Sequence, residues 1–170
     1  MKWVTREHPM VERVACPWLI KRFIDRKAEF IFVPSERVLE VAEKEGAIPF
    51  DVEGAELTHR GDRCSFDAII EKYGIRDPAV LELAKIVRAA DTEAKDLVPE
   101  GRGLEAVAQG SQMIVKDDHD ALRRNKHLYD SLYAYCKLRI IKEKHKEKLS
   151  GMDRKQRYEF LRAEMKKPLR

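Results

Sequence analysis

Apolar residues recur at helical spacing through most of the chain, which predicts a mainly helical protein. Gly74 stops one helix, Pro78 opens the next, and Asp153 can cap the last one with its side-chain oxygen. The predicted helices before that last one cover residues 13–25, 36–44, 66–73, 78–91, 104–115 and 118–144. Between residues 93 and 103 the pattern stops, and proline and glycine indicate a linker there.

A short run rich in β-branched and aromatic residues, 28–33, predicts a strand near the N-terminus, and residues 48–51 predict a brief second strand or an extended link. Residues 56–58 can add a third strand that leads into the next loop. We expect the residues before Val11 to form an extended lead-in. The pattern therefore predicts an α+β protein, mostly α, in which a small N-terminal mixed sheet packs on a helical body.

The 170 residues suit a single domain with a core, since 44% are hydrophobic and 38% are charged. The net charge is +4, and the excess of Lys and Arg lies between Lys137 and Arg170. A basic segment of this kind can contact nucleic acid or an acidic partner, or can simply be a solvated helical face.

Three widely spaced cysteines without a C-x-x-C pair favour a reducing compartment over a disulfide framework. The N-terminus lacks the apolar stretch of a secretory signal, and no run approaches the length of a membrane span. We therefore expect a cytoplasmic protein that does not contact membrane.

The stretch from Thr58 to Asp67 places an imidazole, two guanidinium groups, two carboxylates and a thiol before a predicted helix. Helix N-termini favour anions, and they also lower the pKa of a nearby thiol. Cys64, next to Arg63, is therefore a candidate catalytic thiol. The alternative is an ordinary capped helix with solvated charges.

Histidine and aspartate residues at loops and helix ends form a candidate metal site for zinc, iron or manganese. The candidate ligands are His59, Asp91, Asp96, Asp118 and His119. They match no established zinc-binding spacing, and helix capping alone would explain Asp91 and Asp118. The doublet His119-Asp120, with His59 and Asp130, also fits the weak motif of HD-type phosphohydrolases.

Arginine side chains near the same loop form a candidate oxyanion site, because their planar forks match tetrahedral anions. Arg60 and Arg63 flank the turn at Gly61, and Arg13 lies on the first predicted helix. The alternative for Arg13 is an internal ion pair with Asp67 or Glu71.

Six blocks of sequence, in order and spacing, carry a family resemblance. They are residues 13–20 (RVACPWLI), 30–34 (FIFVP), 46–51 (GAIPFD), 59–67 (HRGDRCSFD), 86–92 (IVRAADT) and 128–133 (LYDSLY). Over about residues 5–136 the chain resembles the C-terminal domain of ChrB-type chromate resistance proteins. The resemblance implies a role in chromate resistance or chromate-responsive gene regulation. It also divides the chain into a domain of residues 1–136 and a basic helical extension of residues 137–170.

Together these observations favour a stress-response domain that binds a divalent metal, an oxyanion such as chromate, or both, with redox or hydrolytic chemistry as options. The alternative is a non-enzymatic regulator that contacts nucleic acid through its basic tail. Tyr158, Leu161 and Met165 form one apolar stripe in that tail. The stripe predicts docking on the helical body of the same chain or of a second copy in a homo-oligomer.

Overall fold

A three-stranded parallel sheet lies near the N-terminus of the computed structural model, which describes residues 1–169. Its strands are β1 (Lys2–Arg6), β2 (Glu29–Val33) and β3 (Ile48–Pro49), in the order β2–β1–β3. Trp3 on β1 pairs with Phe30 on one side and with Ile48 on the other. The predicted fold class is confirmed, except that all three strands are parallel and the sheet is not mixed.

The central strand β1 falls in the segment that the sequence predicted only as an extended lead-in. Its middle residues Trp3, Val4 and Thr5 are completely buried. Parallel strands buried on both faces lose the alternation of polar and apolar residues, so a five-residue example gives little signal. The predicted third strand at 56–58 is reduced to a single bridge between Phe50 and Leu57.

Eight α-helices and one 3₁₀ turn connect and follow these strands within residues 1–169. The 3₁₀ turn is Ser35–Arg37, and the helices are α1 (Glu12–Phe23), α2 (Val38–Glu45), α3 (Ser65–Lys72), α4 (Pro78–Asp91), α5 (Glu100–Gln112), α6 (Asp118–Lys144), α7 (Lys146–Ser150) and α8 (Arg154–Glu164). The predicted helices are confirmed to within a few residues. The exception is α5, which begins inside the predicted linker.

One of the two glycines of the predicted linker, Gly101, lies in α5 where this helix packs closely against α4. A Cβ atom at Gly101 would lie 2.4 Å from the Cβ atom of Ala89, so only glycine fits at this contact. Helix α4 also packs on α6, and α6 packs on α1. Gly101 therefore serves helix packing rather than chain flexibility.

The sheet separates two hydrophobic clusters. Trp3 and Phe50 belong to the larger cluster, together with Leu19 of α1 and Phe66 of α3. Val4, on the other face of β1, packs in a smaller cluster with residues of α2. The order β2–β1–β3 means that β1 is the central strand. The connection from β1 leads to β2 on one side, and the connection from β2 crosses to β3 on the other side of β1. In α/β sheets, ligands bind at the carboxyl ends of the strands at such a switch point.

The basic extension docks on its own chain, because α8 contacts α6. No residue of α8 is buried, and the Phe160 ring packs edge-on against His145 with 5.1 Å between ring centroids. The predicted boundary at residue 136 stays a prediction, and α6 crosses it without a break. No helix within residues 1–169 is both long and apolar enough to cross a lipid bilayer.

Candidate metal centre

Four acidic or imidazole side chains meet at the carboxyl ends of β1 and β3. Glu12 is the first residue of α1, Asp51 comes two residues after β3, and Asp91 is the last residue of α4. His59 lies in the loop before α3. This is the edge of the sheet where the strand order predicts a ligand site.

His59 is the centre of the group. Its Nε2 atom lies 2.6 Å from Glu12 Oε1, 3.4 Å from Asp91 Oδ2 and 3.7 Å from Asp51 Oδ1. Donor atoms of Glu12, His59 and Asp91 all lie within 4.8 Å of one another. Among residues 1–169, no other set of three histidine, cysteine or acidic residues has this metal-compatible geometry.

Glu12 is held in place by the start of α3. The Ser65 backbone N–H donates to Glu12 Oε2 at 2.8 Å, and the Ser65 hydroxyl donates to Oε1 at 3.0 Å. Only 2% of Glu12 is exposed. Burial raises the pKa of Glu12 to about 7, although the hydrogen bond with His59 favours the ionised carboxylate.

The pKa values of His59 and Asp91 are both raised in this group. The hydrogen bond with Glu12 raises the pKa of His59 to about 9, against the opposing effect of burial. Burial, followed by the negative charge of Asp51, raises the pKa of Asp91. The group therefore holds protons that a bound cation would displace, because metal ligands must be deprotonated.

Two arginines surround Asp51. Arg6 donates from Nη2 to Asp51 Oδ2 and from Nε to the Asp51 carbonyl, both at 2.8 Å. Arg13 Nε lies 3.4 Å from Asp51 Oδ2. Asp51 has a φ of +52°, a left-handed conformation that costs a non-glycine residue energy. The arginine contacts hold this residue in that conformation beside His59.

Of the predicted metal ligands, the structure brings together His59 and Asp91 only. Asp96 is exposed and pairs with Arg102, while Asp118 accepts a hydrogen bond from the His8 backbone. The His119 ring packs edge-on against Phe32, with 5.4 Å between ring centroids. These three residues lie outside the group, because helix-end positions in the sequence do not reveal which ends converge.

Glu12 and Asp51 were missed as site residues. Each follows a strand, so recognition of β1 and β3 as parallel neighbours would have placed both at one sheet edge. Glu12 was missed because β1 was not recognised. Asp51 was read as part of a strand rather than as the residue beyond its end.

Of the predicted oxyanion residues, only Arg13 reaches the site, and it pairs with Asp51 rather than with Asp67 or Glu71. Arg60 donates to the Glu56 carbonyl at 3.0 Å, and Arg63 donates to Glu71 at 3.2 Å. The side chains of Arg60 and Arg63 are thus engaged with their own loop and α3.

The prediction of a lowered thiol pKa at Cys64 is wrong. Cys64 is fully buried, and burial together with the nearby carboxylates Glu12 and Asp67 raises the pKa of its thiol far above the ordinary value. Its Sγ atom lies 3.6 Å from Asp67 Oδ2, and Cys64 occupies the N-cap position of α3. Arg63 contacts Glu71 at 3.2 Å instead, so the surroundings of Cys64 do not favour the thiolate form.

The phosphohydrolase-type motif does not assemble either. Asp120 accepts hydrogen bonds from Arg123 and Arg124, and Asp130 accepts one from the Trp18 indole N–H at 2.9 Å. Both carboxylates are therefore engaged away from His59, whose partners are Glu12, Asp51 and Asp91.

Comparisons with known proteins match the part of the chain that contains the six sequence blocks, residues 13–133. Protein ChrB of Cupriavidus metallidurans is 36% identical over 135 residues, a match that covers 79% of this chain and 40% of that relative. No solved structure gives a significant match. Residues 3–136 match the family described as ChrB, C-terminal domain. The chain therefore belongs to the ChrB C-terminal domain family, a family of chromate resistance proteins.

Proposed function

We propose that this chain is a metal-binding domain of the chromate stress response, with a divalent cation held by Glu12, His59 and Asp91. The observation that carries the proposal is the convergence of these three side chains from α1, a loop and α4. Imidazole and carboxylate donors together suit zinc, iron or manganese. Asp51 lies outside this set of three, with its Oδ1 atom 3.7 Å from His59 Nε2, and adds negative charge beside the proposed cation.

The salt-bridge partners of Glu12 and Asp91 favour a bound cation over a purely structural ion pair. Glu12 and Asp91 share one imidazole, and neither makes a salt bridge to a lysine or arginine within residues 1–169. Asp51, by contrast, has Arg6 and Arg13. Buried carboxylates are costly unless they are paired, protonated or bound to metal.

Arg13 is the residue on which an anion site beside the cation would depend. Its Nη1 and Nη2 atoms donate to the Glu7 and His8 carbonyls at 3.4 and 3.3 Å, contacts that a bound oxyanion would replace. Arg13 is largely buried, with 16% of its side chain exposed, and its guanidinium faces the carboxylate of Asp51 next to the metal centre. A cation together with an arginine fork can bind a tetrahedral oxyanion such as chromate. Redox or hydrolytic turnover of such an anion stays a prediction, as does the cytoplasmic location.

Elemental analysis of the purified protein tests the cation site. We expect stoichiometric metal in the wild-type protein and its loss in His59→Ala and Asp91→Ala, with circular dichroism unchanged. Asp96→Ala is the matched control, because Asp96 is exposed and lies outside the group. Metal-free wild-type protein that also binds no added zinc, iron or manganese would rule out the proposal.

The basic extension supports a second candidate function, a regulator that contacts nucleic acid. Residues 137–170 contain 13 Lys and Arg against 5 Asp and Glu, an excess of 8, whereas the whole chain has an excess of 4. Salt-dependent DNA binding by protein that takes up no metal would favour this function over the metal site. Charge-reversal of Lys155 and Arg162, both exposed on α8, should then weaken DNA binding.

A further inference from the structure

A cavity of about 990 Å³ lies between α1, β2 and the first half of α6, apart from the metal centre. Glu12, His59 and Asp91 are absent from its lining. Its volume lies at the upper end of the range for small-molecule sites. The cavity is therefore large enough for an organic ligand and far larger than a single tetrahedral oxyanion requires.

The floor of the cavity is apolar. Val14, Trp18, Ala28 and Phe30 line it, and each is at most 6% exposed. Leu122 adds a further aliphatic surface from α6. A floor of this kind favours a ligand with an apolar body, because the ligand removes apolar surface from water when it binds.

The rim is basic. Five Lys and Arg residues line the cavity against two acidic ones, Glu29 and Asp130, which leaves an excess of three positive charges among these side chains. The cationic residues are Lys21, Arg22, Arg26, Arg123 and Lys126. A concave surface of one sign concentrates the field and attracts ligands of the opposite charge.

Two of the cations are available to a ligand. Asp130 is already engaged by Arg22 and Lys126, at 3.0 and 2.7 Å. Lys21 and Arg26 make no salt bridge with any residue of the described chain, although Lys21 lies over the Phe30 ring at 5.6 Å from its centroid. Lys21 and Arg26 therefore provide positive charge at the edge of an apolar floor.

Arg22 adds a cation that is already fixed in position. Its guanidinium lies 4.6 Å from the ring centroid of Tyr133 and 5.6 Å from that of Trp18, and it also contacts Asp130. A side chain ordered in this way loses little further entropy when an anion binds.

We propose that this cavity binds a small organic anion with an apolar or aromatic body and a phosphate group, the chemical class of the nucleoside phosphates. The body lies on the floor formed by Trp18 and Phe30, and the phosphate is held by Lys21 and Arg26. An arginine fork and a lysine ammonium are the side chains that proteins use for phosphate. The two carboxylates on the rim interrupt the positive surface, which disfavours a long nucleic-acid strand.

Fluorescence titration with N-methylanthraniloyl AMP tests this site, with N-methylanthraniloyl adenosine as the uncharged probe. We expect saturable binding of the phosphate probe and at least about tenfold weaker binding by Lys21→Ala and by Arg26→Ala, since each removes a charge-assisted contact. Lys27→Ala is the matched control, because Lys27 is exposed, has the same charge and is absent from the cavity lining.

Equal binding of the two probes, or unchanged binding in both variants, would overturn the proposal. Duplex DNA whose binding depends on Lys21 and Arg26, without binding of the phosphate probe, would overturn it in favour of a nucleic-acid surface. Metal content of Lys21→Ala and Arg26→Ala should equal that of the wild type. Failure at this cavity is thus distinguishable from failure of the metal proposal.

Discussion

Glu12 and His59 are 47 residues apart in the chain, yet Glu12 Oε1 and His59 Nε2 are only 2.6 Å apart. The contact depends on the sheet, because the chain leaves β1 at Arg6 and reaches Glu12 at the start of α1 after a five-residue connection. It also depends on α3, because Ser65 at the start of that helix donates two hydrogen bonds to the Glu12 carboxylate. The imidazole of His59 is thereby held against a buried, pre-oriented carboxylate.

Replacement of Glu12 by glutamine should weaken metal binding by at least about tenfold and leave the fold intact. The side-chain amide introduced by Glu12→Gln would keep an oxygen that accepts from the Ser65 N–H but would lose the negative charge. Burial raises the pKa of Glu12 to about 7 and so disfavours its charge, whereas the pair with His59 raises the pKa of His59 to about 9 and stabilises the folded protein below that pH. Glu12→Gln removes both opposing effects, so stability should change little.

Metal titration and thermal unfolding of Glu12→Gln measure these two effects separately. Glu7→Gln is the control, because Glu7 precedes α1 and its side chain is 43% exposed. Metal affinity equal to that of the wild type in Glu12→Gln would show that Glu12 is not a ligand.

Metal affinity should rise with pH between about 6 and 9. The pKa of His59 is raised to about 9 and that of Glu12 to about 7, so protons compete with the cation across this interval. As pH falls, His59 and then Glu12 become protonated and affinity decreases. At pH 8, binding should release about one proton, chiefly from His59.

Calorimetry in two buffers of different protonation enthalpy measures the proton release directly. Binding without proton release, and with an affinity that is constant from pH 6 to pH 9, would mean that the cation does not contact His59 or Glu12.

The sequence predicted the helical body because its helices have clear starts and stops. Asp77 caps α4 through the N–H groups of Ala79 and Val80, and Asp153 caps α8, as sequence patterns of this kind indicate. The sheet was harder to predict. Parallel pairing is long-range, and β3 is only two residues long.

The candidate site was only partly predicted, because residue type and local position are visible in the sequence whereas long-range convergence is not. His59 and Asp91 stood out because their residue types suit metals and they lie at a loop and a helix end. Convergence is a tertiary property, so the sequence could not separate Asp91 from Asp96, or identify Glu12 as their partner. The thiol of Cys64 failed as a candidate because burial outweighs the effect of a helix N-terminus on its pKa.

Arg88→Ala should destabilise the protein by about 3 kcal/mol, because it leaves a buried carboxylate without its partner. Arg88 donates from Nε and Nη2 to the two oxygens of Asp67 at 2.9 and 2.6 Å, and the Asp67 side chain is only 4% exposed. Asp67 also accepts from the Cys64 N–H at the start of α3. The pair therefore joins α4 to the helix that positions Glu12.

Urea denaturation of Arg88→Ala against Arg102→Ala checks this value. Arg102 makes an equally short contact with Asp96, but both side chains are more than 60% exposed. Such a surface pair contributes less than about 1 kcal/mol. Similar losses of unfolding free energy in the two variants would contradict the prediction that burial makes the Arg88–Asp67 pair the stronger of the two.

Truncation after Lys144 should leave metal affinity unchanged, because α7 and α8 pack on α6 and, within residues 1–169, no hydrogen bond or salt bridge links the tail to Glu12, His59 or Asp91. The truncation removes α7 and α8, including the buried side chain of Leu149. It also removes the hydrogen bond that Lys137 Nζ on α6 donates to the Lys167 carbonyl at 2.7 Å. Loss of this surface layer should lower the unfolding free energy by about 2 kcal/mol, mainly through Leu149.

Metal titration, urea denaturation and light scattering on the 1–144 fragment separate the roles of the tail. The fragment should have wild-type metal affinity and reduced stability. A change in the number of subunits relative to the full chain would show that α8 contributes to a homo-oligomer as well as packing on its own α6. Loss of metal from a folded fragment with an unchanged number of subunits would instead make the tail part of the site, contrary to the position of Glu12, His59 and Asp91 at the carboxyl edge of the sheet.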